Sequence, residues 1–141
     1  MLESRGGLTD LVVADLYCGS GAMGIEAISR GAATVYFVDS DPACLAAARA
    51  NLEALHLSGE AHYVRASLPR WQPPGDFDLV LVDPPYGPLD LAALLAEVSA
   101  RRVVVENDRH MDAPEKWVVT KTKRYGTTLV TMLETAEGNV E

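Results

Sequence analysis

The stretch Asp83-Pro84-Pro85-Tyr86 carries an unusual density of hydrogen-bond acceptors. Its two prolines fix φ and remove two backbone donors, which leaves the carbonyls and the Asp83 carboxylate as a rigid set of acceptors. An exocyclic amine on a nucleobase needs such a set. Its lone pair is delocalised into the ring, and accepting its two N–H bonds favours the pyramidal, more nucleophilic form. Asp83 and the Pro84 carbonyl fit that task, and Tyr86 offers a flat face on which a base can stack, typically worth about 1–3 kcal/mol. The implied chemistry is in-line attack by that nitrogen on an electrophilic carbon, accelerated by positioning, with no catalytic Cys, Ser or metal required. Taken alone, a Pro-Pro pair after a strand is equally a simple turn.

Gly19-x-Gly21-x-x-Gly24 is the second chemical signature. In a loop that opens a helix, this spacing exposes backbone N–H groups and lets a ligand approach without meeting Cβ atoms. Asp39, 20 residues after Gly19, ends the next apolar run, where a carboxylate accepts hydrogen bonds from ribose hydroxyls. A nucleoside-bearing cofactor follows. Dinucleotide dehydrogenases share both features, but Asp15 just ahead of the loop would repel a pyrophosphate. It suits a ligand with an ammonium and a sulfonium, as in S-adenosylmethionine. A glycine turn without a ligand is the bland alternative, with Asp15 and Asp39 as ordinary strand-end acids.

The elements that must position these residues are readable from hydrophobic pattern. Leu11 to Leu16 is a strand, followed by the loop Cys18-Gly19-Ser20-Gly21 and a helix through Arg30 that Gly31 closes. Thr34 to Val38 is a second buried strand, and Pro42 opens an alanine-rich helix to about Leu55. Further strands are expected at His62–Arg65, Phe77–Val82 and Arg102–Glu106, and a helix at Leu89–Val98. Trp117–Thr122 and Thr127–Leu133 alternate around Tyr125-Gly126 as an antiparallel hairpin. The predicted fold class is α/β. It is a Rossmann-like, doubly wound, mostly parallel sheet with a C-terminal antiparallel edge pair and ligands at the carboxyl ends of its strands.

The 141 residues, 48% of them hydrophobic, suit a single domain over 1–141 with a core that needs no disulfide or metal. No run approaches the roughly 20 apolar residues that span a bilayer, and no signal segment opens the chain, so a soluble, cytoplasmic protein without a membrane partner is expected. Cys18 and Cys44 read as reduced, non-catalytic thiols. The formal net charge of −8 opposes a nucleic-acid partner, because phosphate binding depends on Lys and Arg.

With both motifs in hand, the chain resembles the RsmD-type guanine-N2 methyltransferases of bacterial small-subunit (16S) ribosomal RNA, within the class I methyltransferases. The resemblance covers nearly the whole chain. It rests on the run from Asp15 to Ala27, on Ser29-Arg30-Gly31-Ala32, Asn51-Leu52 and Asp83-Pro84-Pro85-Tyr86, and on the late Tyr125-Gly126-Thr127. It implies methyl transfer from S-adenosylmethionine to N2 of a guanine. Asp15, Tyr17, Cys18, Gly19, Ser20, Gly21, Gly24, Asp39, Ser40, Ala66, Ser67 and Asp83 would hold the cofactor, and Asp83, Pro84, Pro85 and Tyr86 the base. It also implies 16S rRNA or an assembling small ribosomal subunit as partner, with the enzyme a monomer. Two departures stand out. Members of the family carry a basic N-terminal segment of several dozen residues that supplies RNA contacts, whereas about ten residues precede the first strand here. At Arg65-Ala66-Ser67, where many class I methyltransferases place an acid or amide for the adenine amino group, Ser67 or a backbone carbonyl is left to take that part.

Other polar residues have plainer readings. Glu26 and Arg30, four apart on a helix, are expected to form an ion pair rather than an RNA contact. His56, His62 and His110 share no metal-ligand spacing and are expected on the surface or in loops. Lys116, Lys121, Lys123 and Arg124 form the basic cluster, fitted either to phosphate or to protecting an edge strand. The competing functions are an adenine-N6 methyltransferase, a dinucleotide-dependent oxidoreductase that would leave Asp83 to Tyr86 without a task, and a non-catalytic S-adenosylmethionine-binding module.

Overall fold

The computed structural model describes residues 8–71, 75–84 and 91–136. Its elements in chain order are β1 (Val12–Leu16), α1 (Ala22–Ser29), β2 (Thr34–Asp39), α2 (Pro42–Leu55), β3 (Glu60–Arg65), β4 (Phe77–Val82), α3 (Leu91–Glu97), β5 (Ala100–Asn107), β6 (Trp117–Tyr125) and β7 (Thr128–Thr135). They form one seven-stranded sheet in the order β3-β2-β1-β4-β5-β7-β6. The first five strands of that order are parallel neighbours, and β7 runs antiparallel to both β5 and β6. The chain lays β2 and β3 to one side of β1 and β4 and β5 to the other, so the topological switch lies between β1 and β4.

The apolar runs are continuous rather than alternating because both faces of the sheet are covered. Val13, Val35, Phe37, Leu79, Leu81, Val104, Val130 and Met132 face one side with Ala27 and Ile28 of α1 and Leu45 and Ala48 of α2. Ala14, Leu16, Val38, Val80, Val82, Val103, Val105 and Leu133 face the other, with Leu94 and Leu95 of α3. Local signals end the helices where the sequence implies. Gly31, at φ 103°, donates to the Ile28 carbonyl and Ala32 to that of Ala27, the paired bonds of a left-handed helix stop. The Asp41 carboxylate accepts the Ala43 N–H at 2.8 Å ahead of Pro42.

The sequence-based outline needs two adjustments. Strand β3 begins at Glu60 rather than His62, because its parallel pairing with β2 starts at Thr34 opposite Glu60. Helix α3 is described over Leu91–Glu97, and residues 89–90 of the expected span lie outside the described residues. The expected antiparallel pair forms one edge of the sheet, with β7 against β5 and β6 outermost. Burial explains the choice, since Leu129 to Leu133 are all buried whereas Thr120 to Tyr125 are all exposed. The strand that can fill both faces goes inside. The Trp117 indole N–H, donated to the Leu95 carbonyl at 3.3 Å, ties the hairpin to α3.

Among the described residues, no helix is long and apolar enough to cross a membrane.

Candidate active site

Both sequence motifs meet at the switch point, one leaving β1 and the other leaving β4. After β1 the chain turns at Tyr17, whose φ is 57°, and the Cys18 N–H donates to the Val38 carbonyl at 3.1 Å. The Gly19 N–H donates to Asp39 Oδ2 at 3.0 Å, and Asn51 Nδ2 on α2 donates to the Ser20 carbonyl at 3.0 Å. Strand β2 and helix α2 therefore clamp the loop from two sides.

The three glycines act differently. A Cβ built on Gly19 would have nothing within 4 Å, so that part of the loop faces open space where a ligand can lie against the backbone. On Gly21 it would come within 2.8 Å of Ala48 Cβ, and on Gly24 within 2.5 Å of Phe37 Cε1. Those two glycines clear room for helix packing against β2, not for a ligand.

Asp15 lies beneath the loop rather than facing the crevice. It is 1% exposed, and its Oδ2 accepts the Gly24 N–H at 3.0 Å. Burial, and then the charges of Asp83, Asp39 and Glu106, push its carboxyl up to about 7 against the pull of that N–H. Asp15 thus reaches the crevice only through its field and through the loop it holds. Asp39 is half-buried and accepts Gly19 N–H on one oxygen and Asp41 N–H, at 3.0 Å, on the other. A carboxylate has about four acceptor positions, so two remain for ribose hydroxyls. Ser40 and Ser67 are exposed, and Ala66 donates its N–H to the Asp39 carbonyl at 3.1 Å, which brings the ends of β2 and β3 to the same rim. Cys18 is buried and its thiol is pushed up to about 12, chiefly by burial, so it is no nucleophile.

Across the switch point, Asp83 is exposed and Pro84 half-buried; burial of its surroundings still raises the Asp83 carboxyl. Pro85 and Tyr86 lie outside the described residues. Register and strand alternation together produce an arrangement that the sequence reading missed. Asp39, Asp15, Asp83 and Glu106 lie within one residue of the carboxyl ends of β2, β1, β4 and β5, and each follows a residue two positions earlier that faces α1 and α2. Four carboxylates therefore share one face along the carboxyl ends of four adjacent strands. Glu106 is half-buried, and burial, Asp83 and Glu26 raise its carboxyl in that order. The signal for it was present: Val103-Val104-Val105-Glu106 ends an apolar run in an acid, as Val38-Asp39 does. Asn51 entered the reading only through a resemblance, and its clamp on the loop is visible only in three dimensions.

On this face a cleft of about 440 Å³ opens between α1 and strands β5 and β7, lined among others by Met23, Glu26, Arg30, Glu106, Tyr125 and Thr128. Its size falls in the range of small-molecule sites, roughly 300–1,000 Å³. The expected Glu26–Arg30 pair is present at 3.1 Å. Lys116, Lys121, Lys123 and Arg124 are exposed, and the Lys123 ammonium sits 5.1 Å from the centre of the Tyr125 ring. His56 and His110 are exposed as expected, and His62 lies in a strand as its apolar run implies. It stands half-buried on β3 with its ring stacked on Tyr36 at 4.5 Å.

Comparison with known proteins places this geometry in context. The family model described as "Conserved hypothetical protein 95" matches residues 1–134. The Bacillus subtilis protein YlbH is 33% identical over 129 residues, which cover 81% of this chain and 70% of YlbH. The "Ribosomal RNA small subunit methyltransferase D" of Haemophilus influenzae is 34% identical over 129 residues, covering 79% of this chain and 65% of its own length. A solved structure described as a conserved hypothetical protein of Streptococcus pyogenes superposes with a TM-score of 0.80 at 27% identity, over 92% of this chain and 89% of that one.

Proposed function

Because the chain belongs to the Conserved hypothetical protein 95 family, the RsmD family, we propose that it transfers methyl from S-adenosylmethionine to the N2 amine of a guanine in small-subunit ribosomal RNA. The observation that carries this reading is the meeting of the glycine loop and Asp83-Pro84 at one switch point. Relatives named as ribosomal RNA methyltransferases support the RNA substrate.

S-adenosylmethionine supplies an electrophilic methyl on sulfonium sulfur. The residues present fit it: the open side of Gly19 admits the ligand to the backbone, and the spare acceptor positions of Asp39 take the ribose. The carboxylate row gives the crevice a field that favours a cation and disfavours a pyrophosphate. Asp83 and the Pro84 carbonyl accept the two N–H bonds of the target amine, and Asp83 takes the proton that nitrogen loses on methylation. Its raised carboxyl suits it to that proton. Tyr86 stacks on the base. The exposed lysines and Arg124 on β6 contact phosphate, which offsets the acidic balance elsewhere.

The class of reaction is tested by incubating the protein with methyl-labelled S-adenosylmethionine and unmethylated small ribosomal subunits, beside calorimetric titrations with S-adenosylmethionine and NAD. Label in the RNA with no NAD binding is expected. Tight NAD binding without label would return the oxidoreductase reading, and cofactor binding without transfer the non-catalytic one.

A further inference from the structure

We propose that Glu106 selects guanine over other purines by accepting its N1–H, beside Asp83 at the end of the neighbouring strand. The inference rests on the guanine-N2 reading above and deepens it. Pairing of Val82 with Val105 places Asp83 and Glu106 next to each other across β4 and β5, and strand alternation gives them the same face. Adjacent strands lie about 4.8 Å apart, and the extra methylene of Glu gives it the reach to work alongside Asp. Glu106 also lines the cleft of about 440 Å³ between α1 and the β5–β7 strands.

The chemistry of the base edge then decides. Guanine presents two contiguous donors, the N1–H imino group and the N2 amine. Adenine presents an amine beside an N1 lone pair. Two carboxylates side by side match the first edge and repel the second, because an ionised carboxylate only accepts. No described residue donates a hydrogen bond to the Glu106 carboxylate, and its charged neighbours Asp83 and Glu26 are acidic; across the cleft, Arg30 is paired with Glu26. A half-buried acceptor in such surroundings gains most from an incoming N–H. A site built to receive a donor rejects analogues that lack it, because its own polar group is then left unpaired.

The probe is a small-subunit rRNA fragment carrying guanine, 2-aminopurine or adenine at the position that nucleoside mapping shows to be methylated. 2-Aminopurine keeps the 2-amino group but has a lone pair in place of N1–H. The native protein should methylate guanine roughly 10- to 100-fold better than 2-aminopurine, the range of one good base-edge contact. Glu106→Gln, whose amide can donate to that lone pair, should bring the two rates within a few-fold of each other at saturating S-adenosylmethionine. Native protein that methylates both bases equally would overturn the proposal without recourse to any variant. A well-folded Glu106→Gln that keeps the native preference would do the same while leaving the guanine reading intact. Methylation of adenine instead of guanine would overturn the guanine reading itself, and this inference with it.

Discussion

At the carboxyl end of β1, the candidate site is made of backbone. The loop from Tyr17 to Gly21 is held by Val38, Asp39 and Asn51, and helix packing fixes Gly21 and Gly24 in place. At the carboxyl ends of β4 and β5, the candidate site is made of side chains: Asp83 and Glu106 stand on neighbouring strands, and Glu106 lines a cleft between α1 and the hairpin. The first half can hold a ligand common to many enzymes with little variation in sequence. The second can change its substrate by changing a few side chains without disturbing the sheet. A cofactor half that is rigid and a substrate half that is open should also fail in different ways when altered.

The largest expected separation is at Asp83. Asp83→Ala should lower methyl transfer by roughly 10²- to 10⁴-fold, the usual range for losing a positioned proton acceptor, while calorimetry finds S-adenosylmethionine affinity lowered far less, by the loss of one charge from the carboxylate row. A parallel loss of affinity would merge the two halves into one. Asp15 should show its effect in stability. Its carboxyl lies at about 7 in the folded protein against 3.8 as a free group, so the folded state retains a proton there that the unfolded state gives up. Its contribution to stability therefore declines as pH rises from about 4 to about 7 and is level above that, by about 4 kcal/mol. Urea unfolding of the native protein and of Asp15→Asn across that window should diverge accordingly; parallel curves would contradict the burial cost.

Gly24→Ala should destabilise the fold by about 1–3 kcal/mol, because the added methyl meets Phe37 and Asp15 in a packed interior. Gly19→Ala meets only open space and costs instead the strain of a left-handed φ of 53°, about 1–2 kcal/mol, and a thermal melt of the two variants side by side compares them. On the substrate side, Tyr86→Ala should weaken productive RNA binding by a stacking increment of about 1–3 kcal/mol without altering the melt. Unchanged kinetics would remove Tyr86 from the base site.

How much of this was legible follows the same division. The glycine loop, Asp39 and the first two helices are contiguous in sequence and carry their own stop and start residues, such as Gly31 and the Asp41-Pro42 pair, so their positions were predictable almost to the residue. The row formed by Asp39, Asp15, Asp83 and Glu106 depends on which strands become neighbours and in what register, and that is decided by tertiary pairing. For the same reason the insertion of β7 beside β5 could not be read from the hairpin's alternation alone. Asp15 was recognised as important but its burial was not, because strand pattern gives the face a side chain takes and not what packs over it.

The central claim concerns the base, and the most direct measurement is mass spectrometry of nucleosides from small ribosomal subunits incubated with the protein and S-adenosylmethionine. N2-methylguanosine is the expected product, absent when Asp83→Ala replaces the native protein. N6-methyladenosine in its place would contradict that claim and assign the acceptors Asp83 and Pro84 to an adenine amine.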